Sequence, residues 1–137
     1  MAYWLLKTEP TVYSYASLEK DKKTVWDGVT NNLALKHIRS MRKGDLAFIY
    51  HTGDEKSLIG IAEVASDPYP DPKEKESRLV VVEIKAKERL PRALSLSKIK
   101  AQSQLRDFEL VRLPRLSVMP VSATVWKLLL ESAKKSP

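Results

Sequence analysis

The stretch MRKGDLAFIYHT (residues 41–52) contains the best-marked turn and strand of the chain. Lys43-Gly44 closes a preceding helical segment, because glycine is the residue that most readily ends a helix. Asp45 then turns the chain into residues 46–50, whose β-branched and aromatic side chains are typical of a strand. Residues 51–56 are predicted to form the loop that follows.

Toward the N-terminus, one strand and two helices are predicted. Residues 3–7 have the aromatic and apolar content of a strand, and Pro10 limits how far it can extend. Ser14 is expected to cap a short helix through Leu18. A better helix covers residues 31–41, where apolar side chains recur three residues apart.

After the opening stretch, two further strands are predicted. Residues 58–65 are nearly all apolar, as in a strand buried on both faces, and Gly60 within them suggests a bulge or a close backbone approach. Three prolines exclude a helix or a central strand at 67–72. Residues 79–89 alternate between apolar and charged side chains, which predicts a half-exposed strand with a basic outer side.

The C-terminal part is expected to contain two helices and two brief strands. Ser95 or Ser97 caps a helix through Ala101, strands cover 108–111 and 116–121, and Ser122 caps the last helix. Three successive central strands do not fit a parallel βαβ sheet. The order predicts one α+β domain over residues 1–137, with a bent mixed sheet or partial barrel flanked by short helices.

Composition excludes several classes of protein. A chain of 137 residues suits one domain with a single core. Cysteine is absent, so disulfides, thiol chemistry and Cys-ligated metals are excluded. No apolar run is long enough to span a membrane and no secretory signal is recognisable, so neither a membrane span nor a signal peptide is expected.

The charge is unevenly distributed. The chain has 24 Lys+Arg and 17 Asp+Glu, a formal charge of +7. Residues 1–76 have 11 basic and 12 acidic side chains, and residues 77–137 have 13 and 5. The positive excess therefore lies in the second half, which indicates either a polyanionic partner or a solvated basic surface.

Motifs for nucleotide or metal chemistry are missing. Four glycines form neither a phosphate-binding loop nor a dinucleotide fingerprint. His37 and His51 stand outside any zinc-binding frame, and no G-x-S-x-G elbow supports a hydrolase. Binding is favoured over catalysis, with no cofactor and no metal.

Four segments place aromatic or basic residues beside small hydrogen-bonding groups, at strand ends or in turns. They are residues 7–10, 26–29, 50–52 and 115–120. Each has an ordinary structural explanation when taken alone. Together they have the groups that hold a flat polar ring, namely π-faces for stacking and polar atoms for the ring edge.

In combination, six segments closely resemble the EVE domain family of the PUA-like superfamily. They are YWLLKTEP (3–10), TVWDGVTNNLA (24–34), MRKGDLAFIYHT (41–52), GIAEV (60–64), YPDP (69–72) and RLSVMPV (115–121). The resemblance implies a PUA-like pseudobarrel. It also implies a binding site for one extruded base of DNA or RNA, such as 5-methyl- or 5-hydroxymethylcytosine.

The resemblance implies a set of ligand-binding residues, with Trp26 as the stacking wall and Asn31 at the base edge. The full set is Lys7, Thr8, Glu9, Trp26, Asn31, Tyr50, His51, Thr52, Arg115, Leu116 and Ser117. The sequence departs from the family pattern R-N-Y-Q-A-R-N at Thr30, Asn32, Leu33 and Leu35. If the family's side chains at these positions contact the ligand, this chain lacks one aromatic stacking surface and two cationic contacts to it.

The basic second half is expected to bind the phosphates of the nucleic acid. The proposed contacts are Lys85, Lys87, Arg89, Arg92, Lys98 and Lys100. The favoured function is a monomeric module that reads a modified base in DNA, and comparison with the family implies a cytoplasmic location. Three alternatives stay open: a module for modified RNA, an enzyme acting on a nucleobase with His51 or Glu9 as acid or base, and a domain that docks to a protein.

Overall fold

A seven-stranded mixed sheet organises the computed structural model, which describes residues 1–135. The strands are β1 (Tyr3–Thr8), β2 (Lys23–Trp26), β3 (Leu46–His51), β4 (Ser57–Val64), β5 (Tyr69–Pro70), β6 (Val80–Ser95) and β7 (Val118–Val121). The helices are α1 (Tyr15–Asp21), α2 (Asn32–Ser40), α3 (Leu96–Lys100), α4 (Glu109–Arg112) and α5 (Ala123–Lys135), with a 3₁₀ turn at Ser103–Leu105. Residues 136–137 of the predicted domain lie outside this described part.

The sheet is open, with the strand order β2-β6-β4-β3-β1-β7 and with β5 paired to β6. β1 and β3 are parallel, whereas the other pairs are antiparallel. The predicted α+β class, with a mixed sheet and short flanking helices, is confirmed. Across residues 1–135, no helix has both the length and the apolar character that a membrane span requires.

The parallel pair brings the ends of β1 and β3 side by side. Lys7 is paired with Tyr50, and Thr8 with His51. The backbone nitrogen of Lys7 also donates to the carbonyl of Ser117, at 2.9 Å. Three of the segments that the sequence singled out therefore meet at one end of the sheet.

The carboxylate of Asp45 ties the turn before β3 to β1. It accepts hydrogen bonds from Ala2 N at 3.0 Å, from Trp4 Nε1 at 2.9 Å and from Arg42 N at 2.9 Å. Burial acts to raise the pKa of this carboxyl, but the donors outweigh burial and the pKa is lowered. The Asp-to-strand turn predicted at this position is thus held by three hydrogen bonds.

The close approach predicted at Gly60 is confirmed. A Cβ atom at this position would lie 2.5 Å from Cζ of Tyr15. The Tyr15 hydroxyl donates to the carbonyl of Ile61 at 2.6 Å, and the β4–β6 register shifts beside the glycine. Only glycine leaves room for the ring, so α1 packs directly on the strand.

The predicted strand over 108–111 is wrong, because this segment forms α4. The carbonyl of Phe108 accepts hydrogen bonds from the backbone nitrogens of Val111 and Arg112, both at 2.9 Å. The side chains of Phe108 and Leu110 are buried in the core. An apolar run of this length packs equally well as one turn of helix, so composition could not decide.

Other boundaries also differ from the prediction. β2 was not predicted, and it forms by pairing with β6, Lys23 lying opposite Lys85. β6 continues to Ser95 instead of ending near residue 89, and α1 continues to Asp21. Pairing with distant segments thus lengthens or creates elements that local patterns do not reveal.

Candidate nucleic-acid interface

A cavity of about 490 Å³, which we call the main cavity, opens between the ends of β1 and β2 and the loop before β7. Its volume lies within the ~300–1,000 Å³ of typical small-ligand sites. Five predicted ligand-binding residues line it: Lys7, Thr8, Trp26, Asn31 and Ser117. The other lining residues are Val12, Tyr13, Thr24, Val25, Asp27, Gly28, Val29 and Thr30.

Trp26 is both a core residue and a wall of the main cavity. Its backbone pairs with Val82 of β6, and its side chain is 8% exposed. The ring of Tyr13 meets it edge-on, with centroids 6.5 Å apart and an interplanar angle of 84°. Because its position is fixed on several sides, the indole is a rigid surface for stacking.

Asn31 joins the main cavity to α2. Its side-chain oxygen accepts a hydrogen bond from Ala34 N at 3.0 Å, as the N-cap of the helix. This bond identifies the oxygen and leaves the amide NH₂ group for other partners. Toward the cavity, Asn31 can therefore act as a donor. The preceding turn needs Gly28, whose φ is +76°.

Thr8 and Tyr13 connect the end of β1 to the loop before α1. The Thr8 hydroxyl donates to the carbonyl of Tyr13 at 2.6 Å, so its oxygen is left as an acceptor. The Tyr13 hydroxyl donates to Asp21 at 2.9 Å. Burial, with a further contribution from Asp21, raises the pKa of this phenol, which stays protonated and polar.

Lys7 lies at the boundary between the main cavity and a second depression. Its Nζ donates to the carbonyl of Pro114 at 2.8 Å and lies 5.7 Å from the ring centroid of Tyr50. Burial lowers the pKa of this amine from its usual value. The residue therefore bridges β1 and the loop after α4.

The second depression has a volume of about 270 Å³ and contains Tyr50 and Thr52 together with Lys7. Lys56 and Lys100 also line it, and we call it the lysine depression. Burial raises the pKa of Tyr50, which is only 3% exposed. Tyr50 and Thr52 thus border the lysine depression and not the main cavity.

Arg115 and Leu116 line a third depression, of about 320 Å³, which shares Asn31 with the main cavity. Leu33 and Arg112 complete its walls with Leu113 and Pro114. Nine of the eleven predicted ligand-binding residues are therefore spread over three adjoining hollows. Lys7, Asn31 and Pro114 each line two of them.

Glu9 joins the end of β1 to the loop that follows β3. Its carboxylate accepts hydrogen bonds from the hydroxyls of Thr11 and Thr52, both at 3.2 Å. A Cβ atom on Gly53, whose φ is +71°, would lie 2.7 Å from a Glu9 oxygen. Glu9 thus packs against the loop after β3, and it does not line the main cavity.

His51 is directed away from all three hollows. It is 5% exposed, its Nε2 accepts the backbone N–H of Tyr15 at 2.9 Å, and its Nδ1 lies 3.0 Å from Glu55. Since Nε2 accepts, the ring is the tautomer with hydrogen on Nδ1. Nε2 thus holds the start of α1 and Nδ1 the loop before β4, so the structure does not bring His51 to the cavity.

The four departures from the family pattern have different environments. Thr30 lines the main cavity, and Leu33 is 42% exposed on the third depression. The Asn32 side chain accepts a hydrogen bond from Arg78 at 3.1 Å, and Leu35 is completely buried. In this chain, position 35 therefore belongs to the core and not to the ligand.

The predicted phosphate contacts are also distributed unevenly. Lys85 lies 3.5 Å from Glu63, and Arg89 lies 2.8 Å from Glu19 while covering the Tyr15 ring. The other β6 cations, Lys87 and Arg92, and the α3 residue Lys98 are exposed. Of the six, Lys100 borders one of the hollows described above.

Several lining residues are absent from the predicted set of ligand-binding residues. Asp27 belongs to the singled-out segment 26–29 but was given no role, and Thr24 lies two residues before that segment in the motif TVWDGV. Val12 and Tyr13 lie in no such motif. They line the cavity because the Thr8–Tyr13 hydrogen bond holds their loop over it in the folded chain. Across residues 1–135, no three His, Asp or Glu side chains come together as metal ligands.

An open mixed sheet with short helices, and a cavity beside the end of β1, are the features of a PUA-like α+β domain. The sequence matches the EVE domain over residues 2–132. The chain belongs to the EVE domain family.

Related structures have the same fold. A Rhodopseudomonas palustris protein is 39% identical, with a TM-score of 0.94 and coverage of 100% of this chain and 96% of that one. Human thymocyte nuclear protein 1 is 25% identical over 170 residues, spanning 99% of this chain and 76% of the relative. Human THYN1, in complex with DNA containing 5-methylcytosine, is 24% identical with a TM-score of 0.92, each chain being fully covered.

Proposed function

We propose that the main cavity binds a single base extruded from DNA and prefers a modified cytosine, 5-methyl- or 5-hydroxymethylcytosine. The observation that carries the proposal is that a rigid indole, Trp26, and a committed donor, Asn31, line one cavity of suitable volume. Human THYN1 in its complex with DNA containing 5-methylcytosine supports this choice of ligand.

The polar groups of the main cavity complement the edge of cytosine. The Asn31 amide is oriented by its cap and donates, which suits the ring nitrogen N3 and the carbonyl oxygen O2. Acceptors for the exocyclic amine are the Thr8 oxygen and the exposed Asp27 carboxylate. Thymine has a donor at N3 and an acceptor at O4, the reverse of cytosine at both positions. It would lose the Asn31–N3 bond and set O4 against the Thr8 and Asp27 acceptors, and polar sites reject such mismatches strongly.

The energetics favour bases that leave the stack easily. Extrusion from a duplex costs a few kcal/mol, and less for a mismatched or single-stranded base. Stacking on an aromatic side chain returns about 1–3 kcal/mol per base. The rest of the binding free energy must come from hydrogen bonds to the base edge and from phosphate contacts. We therefore expect tighter binding to single-stranded or mismatched sites than to a perfect duplex.

The exposed cations of β6 and α3 supply attraction without base selectivity. Lys87 and Arg92 on β6 are accessible to phosphates, whereas the ion pairs of Lys85 and Arg89 reduce their contribution. Such contacts make affinity depend on salt but not on sequence. Monomeric state, cytoplasmic location and the absence of a cofactor stay predictions.

A binding panel tests the function. Fluorescence anisotropy at ~0.15 M salt would compare matched oligonucleotides with cytosine, 5-methylcytosine or 5-hydroxymethylcytosine at one position, as DNA and as RNA. The proposal predicts tighter binding to a modified cytosine in DNA. Preference for the RNA series would favour the RNA-binding alternative. No binding to any oligonucleotide contradicts the proposal and favours docking to a protein.

A further inference from the structure

The lysine depression collects three cations in a small volume beside the main cavity. Lys7, Lys56 and Lys100 line about 270 Å³, and no acidic residue is among the described residues that line it. Two nearby carboxylates do not line it: Glu9 accepts a hydrogen bond from Thr52, and Glu55 lies against His51. With three lysines and no acidic side chain among its described residues, the lining itself is net positive.

The three lysines are held by different elements. Lys7 ends β1 and is shared with the main cavity. Lys56 precedes β4 in a left-handed conformation (φ 44°), and its carbonyl accepts the N–H of Leu96 at 2.7 Å. Lys100 ends α3, the helix that Leu96 begins. The Lys56–Leu96 hydrogen bond thus joins the two segments that present the outer lysines.

We propose that the lysine depression binds a backbone phosphate adjoining the extruded nucleotide. This inference rests on the proposed function, since it assigns the nucleotide to the main cavity. A base and its own phosphates are linked through one sugar, so any site that holds one of those phosphates has to border the base site. The depression satisfies this requirement through Lys7, which lines both hollows.

The inference differs from attraction by the β6 cations. Lys87 and Arg92 are exposed on a long strand and line none of the three hollows described above, and such cations contact any phosphate within reach. Three lysines around a depression fix one phosphate relative to the cavity. The β6 cations therefore govern the salt dependence of binding. The lysine depression governs the register of the bound DNA strand relative to the main cavity.

The test uses single-stranded DNA with one 5-methylcytosine and an uncharged methylphosphonate at its 5′ or 3′ linkage. Charge-assisted contacts are stronger than neutral hydrogen bonds, so in the wild type one of the two replacements should weaken binding roughly 10- to 150-fold. The variant Lys56→Gln/Lys100→Gln should weaken binding to unmodified linkages similarly. It should also lose most of its sensitivity to that methylphosphonate, because coupled groups are not additive.

The matched control is Lys87→Gln/Arg92→Gln, which removes two charges from β6. It should reduce affinity for every oligonucleotide and retain the full methylphosphonate effect. The inference is overturned if the wild type is insensitive at both linkages, or if Lys56→Gln/Lys100→Gln retains the full effect. Preference for 5-methylcytosine over cytosine is measured in a separate pair of oligonucleotides, so failure of the proposed function is seen independently.

Discussion

The side-chain oxygen of Asn31 accepts a hydrogen bond from the backbone nitrogen of Ala34 at 3.0 Å, so one residue both caps α2 and lines the main cavity. This relationship couples helix geometry to base recognition. It also determines which half of the amide can meet a ligand, because the capping oxygen is committed. The two roles can be separated by substitution.

Asn31→Asp should separate them. Aspartate caps a helix as well as asparagine, so stability to urea should stay within about 0.5 kcal/mol of the wild type. The substitution replaces the NH₂ donor that faces N3 and O2 by an acceptor, so the preference for a cytosine over a thymine at this position should fall sharply. Asn31→Ala should lose both functions and about 0.5–2 kcal/mol of stability. Equal preference in Asn31→Asp and the wild type would show that the amide does not contact the base.

Replacement of Trp26 should reduce base selectivity and leave salt-dependent binding in place. Loss of about 1–3 kcal/mol of stacking weakens binding of the preferred base by roughly five- to 150-fold in Trp26→Ala. Trp26→Phe keeps an aromatic face and packs better, so it should lose less. Anisotropy titrations at several salt concentrations check both effects. Unchanged selectivity in Trp26→Ala would contradict the stacking assignment.

His51 should matter for stability and not for binding. His51→Leu removes an acceptor from Tyr15 N and a partner from Glu55, which should destabilise the domain by about 1–3 kcal/mol. Gln can still accept from Tyr15 N, so His51→Gln should lose less. Urea denaturation measures both variants. If either variant abolished base preference while remaining folded, or abolished turnover of a nucleobase, His51 would act at the site itself.

Asp45 should make stability depend on pH in the acid range. Its pKa is lower in the folded chain than the unfolded value of about 3.9, so its contribution is fully present above that value. The contribution is lost as the pH falls through the folded pKa. Asp45→Asn should therefore be less stable than wild type at pH 7, with the difference shrinking below pH ~4. Asp54→Asn, at an exposed loop position, is the matched control.

Local pattern predicted the elements whose periodicity is strong, and missed those that depend on distant partners. Sequence alone was sufficient to predict β3 and β4 from their apolar runs, and α2 from its three-residue apolar repeat. The segment Lys23–Trp26 has mixed polarity and becomes a strand only by pairing with β6. The segment 108–111 has the apolar content of a strand but is one turn of helix.

The candidate site was predictable to a similar extent. Motifs identified Trp26 and Asn31, because their segments are unusual in sequence. They also suggested His51, whose neighbours in sequence reach the lysine depression while its own ring is directed toward α1. Lys56 stood in an ordinary polar loop, and its proximity to Lys7 and Lys100 arises only in the folded chain.

The most direct test of base binding in the main cavity is an NMR titration of the three tryptophan indole N–H signals with DNA containing 5-methylcytosine. The indole N–H of Trp4 is bonded to Asp45, and Trp126 is stacked on Tyr3 and Phe48, so both act as internal controls. The signal of Trp26, assigned by its loss in Trp26→Phe, should shift on titration while the other two stay in place. A saturating titration that leaves the Trp26 signal unmoved would contradict binding of the base in this cavity.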